Sequence, residues 1–499
     1  MRTRADAKPA IASPFVDKFS RIKLTLLPNA VQQQLLYICN SQWKHTRIKH
    51  ARVAGNRSGN AVGGYPSAVG AAGMSTFTAH TYHANVVDMQ GRLNLRCGYP
   101  HVQEDESPDG RSGIGFEPTG VSLTADVGHA IAQQVLNIIG GGDNIAQSAA
   151  TYFSTIPQWF PIINRDGYYA ALSGPDEPPE FSLLTLCMYL IAVPCRDGVS
   201  AGMDDLYVLV NNFIAALTAA RVNSLDLLRC RLLLSLYEVG HGMYSAAYMS
   251  MGTSIRAAEV LGVDRDYVEG AKSTEASDAR CVWLGLVVLD RYISLELGRV
   301  PSIAVEDSSA IEEVPSQLNS LYHASGLLST VLSHVHGSLP YLQRSAEAIP
   351  ILEELASFRN SHHASTPDTA LCPAMSIYSS TIMTMLEFGS FYGHPKGMDC
   401  SPLAIALLEA EVRQYLVCLD NVLQDTSLAA ADFPVFAIHS IGKSAIIIIR
   451  HFKASEVIDV PASMERLKSL LRRIAGRCHA AAVYFDRIQE EEESCSLDT

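Results

Sequence analysis

From residue 123 onwards, apolar residues recur every three or four positions, short breaks separate the runs, and alternating strand patterns are nearly absent. This spacing predicts a succession of α-helices. The predicted helices are 124–138, 181–193, 225–240, 245–262, 276–297, 316–336, 340–359, 374–391, 402–425, 434–452 and 462–492, and a bent segment covers 145–163. We therefore predict an all-α fold, organised as a large irregular multi-helix bundle.

The run 276–297 has apolar residues on more than one face, which predicts a central and largely buried helix. Ser277 and Asp278 are good N-cap residue types, and Gly298 is expected to end the helix. Trp283 is expected in the core.

Asp290 and Arg291 interrupt this apolar run. Charged side chains rarely occupy such surroundings unless they are paired. We expect a structural role, joining the helix to its neighbours or capping a loop, with ligand contact as the alternative. Arg299 is expected to point back towards the carbonyls at the end of the helix.

The first 120 residues have a different character. Segments 54–73 and 104–115 are rich in Gly, Ala, Ser or polar residues and show no apolar periodicity, which is typical of linkers. We predict three parts: a mostly disordered arm and linker (1–120), an all-helical body (121–455), and a long C-terminal helix with an acidic tail (456–499).

Charge separates the arm from the body. The whole chain carries 38 Lys and Arg against 51 Asp and Glu, a net charge of −13, whereas residues 1–60 carry +9. A basic arm on an acidic body is typical of a tail that faces nucleic acid or directs targeting, although a solvated tail fits equally well. The candidate phosphate contacts are Lys44, Arg47, Lys49, Arg52 and Arg57.

The sequence lacks the common motifs of catalytic and metal-binding sites. The sequence has no H-E-x-x-H, phosphate-binding P-loop or G-x-S-x-G motif, and its 11 cysteines include no C-x-x-C pair. Paired histidines such as His334 and His336 lack a third metal ligand. We predict no catalytic residue, no cofactor site and no metal site, and free thiols in a reducing compartment.

Apolar stretches are too short to cross a bilayer, which needs about 18–20 residues. We therefore expect no membrane association.

Three segments share features with one protein family. Residues 150–172 contain an aromatic-rich helix followed by the run WFPII, and residues 231–266 contain a pair of helices. Residues 280–303 contain a motif made of Arg280, Trp283, Asp290, Arg291, Ser294, Gly298, Arg299 and Pro301, with Val300 inserted before the proline. In this order and spacing, the segments resemble the middle homology region of fungal zinc-cluster transcription factors.

The resemblance covers about 123–455. It implies an all-helical regulatory body that acts in the nucleus, responds to an effector and contacts partners: other transcription-factor chains or the transcription machinery, as a homodimer or heterodimer. It identifies no small-molecule effector.

Members of this family usually carry an N-terminal cluster of six cysteines that binds two zinc ions and reads DNA. Only Cys39 and Cys97 precede residue 180 here, so that zinc site cannot form from these residues. The basic arm could still contact DNA phosphates, which adds affinity without sequence readout.

We therefore predict a transcriptional regulator without zinc-dependent DNA recognition by these residues. The alternatives are a protein that forms heterodimers with intact family members and modulates them, and, less favoured, an all-α enzyme of unknown chemistry.

Overall fold

The described part of this computed structural model consists of helices joined by short connecting segments and lacks β-strands, which confirms the predicted all-α class. The structure describes residues 120–174, 178–192, 200–263, 274–304, 314–337, 341–365, 372–389, 402–424, 433–453, 455 and 458–497. The predicted N-terminal arm, with Lys44, Arg47, Lys49, Arg52 and Arg57, lies outside them.

Fifteen α-helices make up the described residues. They are α1 (Gly120–Ile139), α2 (Gly142–Thr155), α3 (Arg165–Leu172), α4 (Pro179–Ala192), α5 (Ser200–Ala219), α6 (Leu225–Gly240), α7 (Tyr244–Leu261) and α8 (Thr274–Leu297). The remainder are α9 (Ser316–His336), α10 (Tyr341–Ser365), α11 (Pro373–Thr384), α12 (Pro402–Gln424), α13 (Phe436–His451), α14 (Val460–Ala475) and α15 (His479–Leu497). A 3₁₀ turn, Ile156–Gln158, follows α2, and a π turn, Met385–Gly389, follows α11.

Helix α8 is the packing centre, as its apolar circumference predicted. It contacts α6, α7 and α9, and Val282, Leu286 and Leu289 are fully buried. Gly285 permits close approach to the WFPII segment, because a Cβ at that position would lie 2.6 Å from Ile162 Cγ2.

Two further helices are buried on nearly all sides. Helix α4 packs against α1, α2 and α6, and α13 packs against α11, α14 and α15. Phe436 at the start of α13 makes ring contacts with Trp159, Phe160 and Tyr292. The aromatic run and α8 thus meet α13 in one core.

The structure differs from the sequence prediction at three places. Helix α5 was not predicted. Helix α8 begins at Thr274, before the proposed Ser277–Asp278 cap. The predicted helix 462–492 is two helices, α14 and α15, separated at 476–478. The break is held by tertiary contact, because Arg477 is buried and donates to the Ile191 carbonyl of α4 at 3.4 Å.

Within the described helices, none combines the length and the apolar character that a membrane span requires.

Candidate functional site

The motif residues predicted from sequence are distributed along α8 and the loop after it. Trp283 is partly buried and packs on the hydrophobic core, and Arg280 is half-buried one turn earlier. Trp283 was expected in the core, and only part of its surface is buried there. The apolar residues around it are fully enclosed.

Asp290 holds the loop that follows α8. Its side chain is 1% exposed, and Oδ2 accepts a hydrogen bond from the Ile303 backbone N–H at 2.9 Å. Burial raises the pKa of Asp290, and hydrogen bonds from Ile303 and Ser302 and the charge of Arg291 act in the opposite direction. The carboxyl thus anchors the loop, with hydrogen bonds from the backbone of Ser302 and Ile303 and from the Ser302 side chain.

Arg291 joins α8 to α9. Its guanidinium donates from Nη1 to Ser325 Oγ at 3.1 Å and lies over the Tyr322 ring, 5.3 Å from the centroid. The residue is 1% exposed. A planar guanidinium fixed by both a hydrogen bond and ring stacking has a defined orientation. Adjacent charges on α8 therefore serve different neighbours.

Gly298, Arg299 and Pro301 form the exit from α8. Gly298 has φ of 61°, the left-handed geometry of a helix C-cap, and the Arg299 N–H donates to the Ser294 carbonyl at 2.9 Å. The predicted direction of the Arg299 side chain is wrong: the guanidinium lies over the Tyr248 ring of α7, 5.2 Å from the centroid. The half-buried Pro301 continues the loop.

Sequence analysis missed a buried carboxyl near the end of α8. Glu296 Oε2 accepts a hydrogen bond from the Tyr484 hydroxyl of α15 at 2.7 Å, and Tyr244 of α7 also hydrogen-bonds to it. Burial raises the pKa of Glu296 to about 7, against the effects of these tyrosines and of Arg487. This group ties the C-terminal helix to the packing centre.

A second buried carboxyl was missed on α6. Glu238 is 1% exposed, and its Oε1 accepts from Tyr207 of α5 at 2.7 Å and from Ser250 of α7 at 3.0 Å. Oε2 is buried without a hydrogen-bond partner among the described residues. Burial raises the pKa of Glu238 to about 7, and the two hydroxyl donors oppose this shift.

Glu238 should make stability depend on pH. Its carboxyl stays neutral in the folded protein up to about pH 7, whereas an unfolded Glu ionises from about pH 4.5, so its contribution to the free energy of unfolding falls across this window. Relative to wild type, Glu238→Gln should therefore gain about 2 kcal/mol between pH 5 and pH 8. Urea unfolding at both pH values measures this difference.

The matched control is Glu259→Gln, at a side chain that is 42% exposed and pairs with Arg256 on the same helix. Its difference from wild type should stay constant over the same pH range. A constant difference for Glu238→Gln as well would show that burial of Glu238 is not electrostatically costly.

A third missed carboxyl, Glu387 in the π turn, faces three basic groups of α13: Lys443, Arg450 and His451. His439 lies one helical turn before Lys443 on α13. Burial and the charge of Lys443 lower the pKa of His439 to about 3, so this imidazole is neutral. Both positions lie within apolar runs of the sequence.

These groups do not form a reaction centre in the described residues. The buried carboxyls bind tyrosines, a serine, backbone or basic side chains, and no three potential metal ligands converge there. The described cysteines are free thiols. The arrangement is that of a structural network inside a helical body, and a cleft opens between α9 and α10 beside Arg291.

Comparison with known proteins adds the family. The fungal specific transcription factor domain matches residues 149–320, which include the WFPII segment and helices α6–α8. No solved structure matches the chain.

Two curated relatives are similar to parts of the chain. Transcription factor BOA15 of Botryotinia fuckeliana is 31% identical over 126 residues, which is 24% of this chain and 68% of the relative. The quinic acid utilization activator of Emericella nidulans is 25% identical over 181 residues, 32% of this chain and 22% of that protein. The matched region thus spans about two thirds of one relative and a fifth of the other. The chain belongs to the family of fungal transcription factors that carry the fungal-specific transcription factor domain.

Proposed function

We propose that this protein regulates transcription in the nucleus, and that its helical body receives a regulatory signal from an effector or a partner chain. The observation that supports this most strongly is the family match over residues 149–320, whose segments build the packing centre around α8. The buried charges at that centre, such as Asp290 and Arg291, bind structural partners, which favours regulation over catalysis.

The effector part of the proposal has its own support. One relative is named an activator of quinic acid utilization, so its name connects that protein with a small metabolite. By extension, we infer that this chain adjusts gene expression to a small molecule. A helical body with a cleft between two helices offers a suitable place for one.

A reporter assay tests the proposal. The full chain is fused to an unrelated DNA-binding module, and transcription from a promoter that carries the module's site is compared with the module alone at equal abundance. We expect activation or repression of at least about threefold, with the fusion in the nucleus. Unchanged transcription together with exclusion from the nucleus would contradict the proposal.

A second candidate function is modulation of intact family members by heterodimer formation. In such a heterodimer the partner chain would supply the zinc-dependent DNA recognition, since these 499 residues contain no paired C-x-x-C spacing. Lys44, Arg47, Lys49, Arg52 and Arg57 would add contacts to DNA phosphates. Co-purification with a cluster-bearing family member tests this candidate. A complex that persists at high salt would support it, whereas a complex that is lost at high salt or never forms would favour independent action.

A further inference from the structure

A cleft opens between α9 and α10, with Arg291 of α8 in its wall. Its volume is about 390 Å³, within the range of about 300–1,000 Å³ that is usual for sites of small ligands. The lining includes aromatic, hydroxyl and imidazole groups together with the guanidinium: Arg291, Tyr322, His323, Thr330, Phe358 and His362. We name this cavity the Arg291 cleft.

The guanidinium of Arg291 supplies a fixed positive charge. Its contacts with Ser325 and Tyr322 hold its plane in one orientation. Guanidinium groups remain charged at all physiological pH values and match the geometry of carboxylates. A cavity wall that contains an oriented guanidinium therefore favours an anionic ligand whose charge is carried by a carboxylate.

Arg291 is only 1% exposed, and the small surface that reaches the cleft lies beside Gly326. Gly326 lies inside α9, where glycine costs about 0.5–1 kcal/mol relative to alanine. Its backbone does not have the positive φ that would require glycine, and a Cβ there would lie 3.8 Å from Arg291 Nη1. A larger side chain at this position would cover the guanidinium from the cleft.

The opposite wall offers a flat surface. Phe358 and His362, one turn apart on α10, stack with ring centroids 4.3 Å apart and an angle of 23° between planes. Phe358 also stacks on Tyr378 of α11, with ring centroids 5.9 Å apart. Because Phe358 is stacked on both of these rings, the aromatic face available to a ligand is that of His362, and such a face prefers planar, unsaturated ligands.

The remaining polar groups of the lining further restrict the class of ligand that fits the cleft. Thr330 and Ser357 bring hydroxyls to the lining, and burial lowers the pKa of His323, so this ring is neutral and can exchange hydrogen bonds with a ligand hydroxyl. Glu354 is the acidic group among the lining residues and is exposed. Its negative charge disfavours ligands with several negative charges.

We propose that the Arg291 cleft binds a small planar monocarboxylate that bears hydroxyl groups, with the carboxylate at Arg291 and the ring against His362. Because α9 and α10 contribute opposite walls, the ligand would hold these two helices together. The proposal rests on the proposed function, since it names the class and the site of the effector.

Isothermal titration calorimetry of the full chain with 2-, 3- and 4-hydroxybenzoate tests binding. For ligands of this size we expect a Kd of roughly 0.1–1 mM for at least one isomer. The matching neutral hydroxybenzamide should bind about 10- to 100-fold more weakly, because it loses a charge-assisted hydrogen bond. Equal affinity for acid and amide, or no saturable binding of any isomer, would overturn the proposal.

Variants locate the site. Gly326→Val should weaken hydroxybenzoate binding at least about tenfold while Arg291 and the folded state, checked by thermal unfolding, are kept. Arg291→Gln should abolish binding. If the Arg291→Gln variant does not fold, Gly326→Val is the decisive variant. Arg299→Gln, at an exposed arginine of the same motif, is the control and should leave the affinity unchanged. Unchanged affinity of Gly326→Val would place the ligand elsewhere.

The two proposals fail differently. If hydroxybenzoates do not bind but the reporter fusion changes transcription, only the ligand assignment is wrong. If they bind at the Arg291 cleft but the fusion leaves transcription unchanged, the regulatory role is wrong and the site remains.

Discussion

Glu387→Gln is expected to lower the free energy of unfolding by about 3–5 kcal/mol, the usual cost of breaking a buried ion pair. The Glu387 side chain is 4% exposed and pairs with Lys443, whose side chain is 13% exposed. Arg450 and His451 lie 3.5 and 3.7 Å from the same carboxylate. Without this negative charge, a buried ammonium is left beside a second cation.

The pKa directions agree with this interpretation. Burial alone would raise the pKa of Glu387, but hydrogen bonds from His451 and Lys443, together with the charges of Lys443 and Arg450, hold it below its usual value. Burial lowers the pKa of Lys443, and the charge of Glu387 opposes the shift. The charge of each partner therefore opposes the loss of charge that burial favours in the other.

A double variant shows whether uncompensated charge is the cause. Glu387→Leu with Lys443→Met removes both charges and replaces them with apolar groups of similar size, so we expect a smaller loss than for Glu387→Gln alone. Urea unfolding gives the free energies. The control is Glu465→Gln at an exposed pair with Arg472, which should change stability by less than about 1 kcal/mol. A double variant as unstable as Glu387→Gln, or more so, would contradict the argument.

Helix positions were largely predictable because apolar periodicity is a local property. Helix α5 shows that the prediction could have gone further: Leu206, Val210, Phe213 and Leu217 follow helical spacing, and all four are buried. The polar residues between them, such as Asn211 and Asn212, weaken the pattern without breaking it. The split between α14 and α15 was not predictable, since Arg477 contacts a carbonyl 286 residues away.

The candidate site was predictable only in part. Asp290 and Arg291 stood out as adjacent charges in an apolar run, and Glu238, Glu296 and Glu387 give the same signal singly. Their partners could not be inferred, because Tyr484 is 188 residues from Glu296 and tertiary packing alone brings them together. The Arg291 cleft likewise combines residues from three helices.

Gly442→Ala is expected to destabilise the protein by about 3 kcal/mol, the upper end of what overpacking usually costs. A Cβ at Gly442 in α13 would lie 2.1 Å from Cδ1 and 2.6 Å from Cγ of Tyr484. The Tyr484 ring is buried, and its hydroxyl is bonded to Glu296, so the ring cannot yield without breaking that hydrogen bond. Helix α15 would have to move away from α13.

Intrinsic helix propensity works in the opposite direction, because alanine is favoured over glycine by about 1 kcal/mol inside a helix. Gly252→Ala on α7 is therefore the matched control: nothing lies within 4 Å of its Cβ position, and it should stabilise by about 0.5–1 kcal/mol. Thermal and urea unfolding of both variants separate sterics from propensity. If Gly442→Ala is as stable as Gly252→Ala, α15 does not pack on α13 as closely as in this structure. In that case, the hydrogen bond from Tyr484 would not fix the position of Glu296.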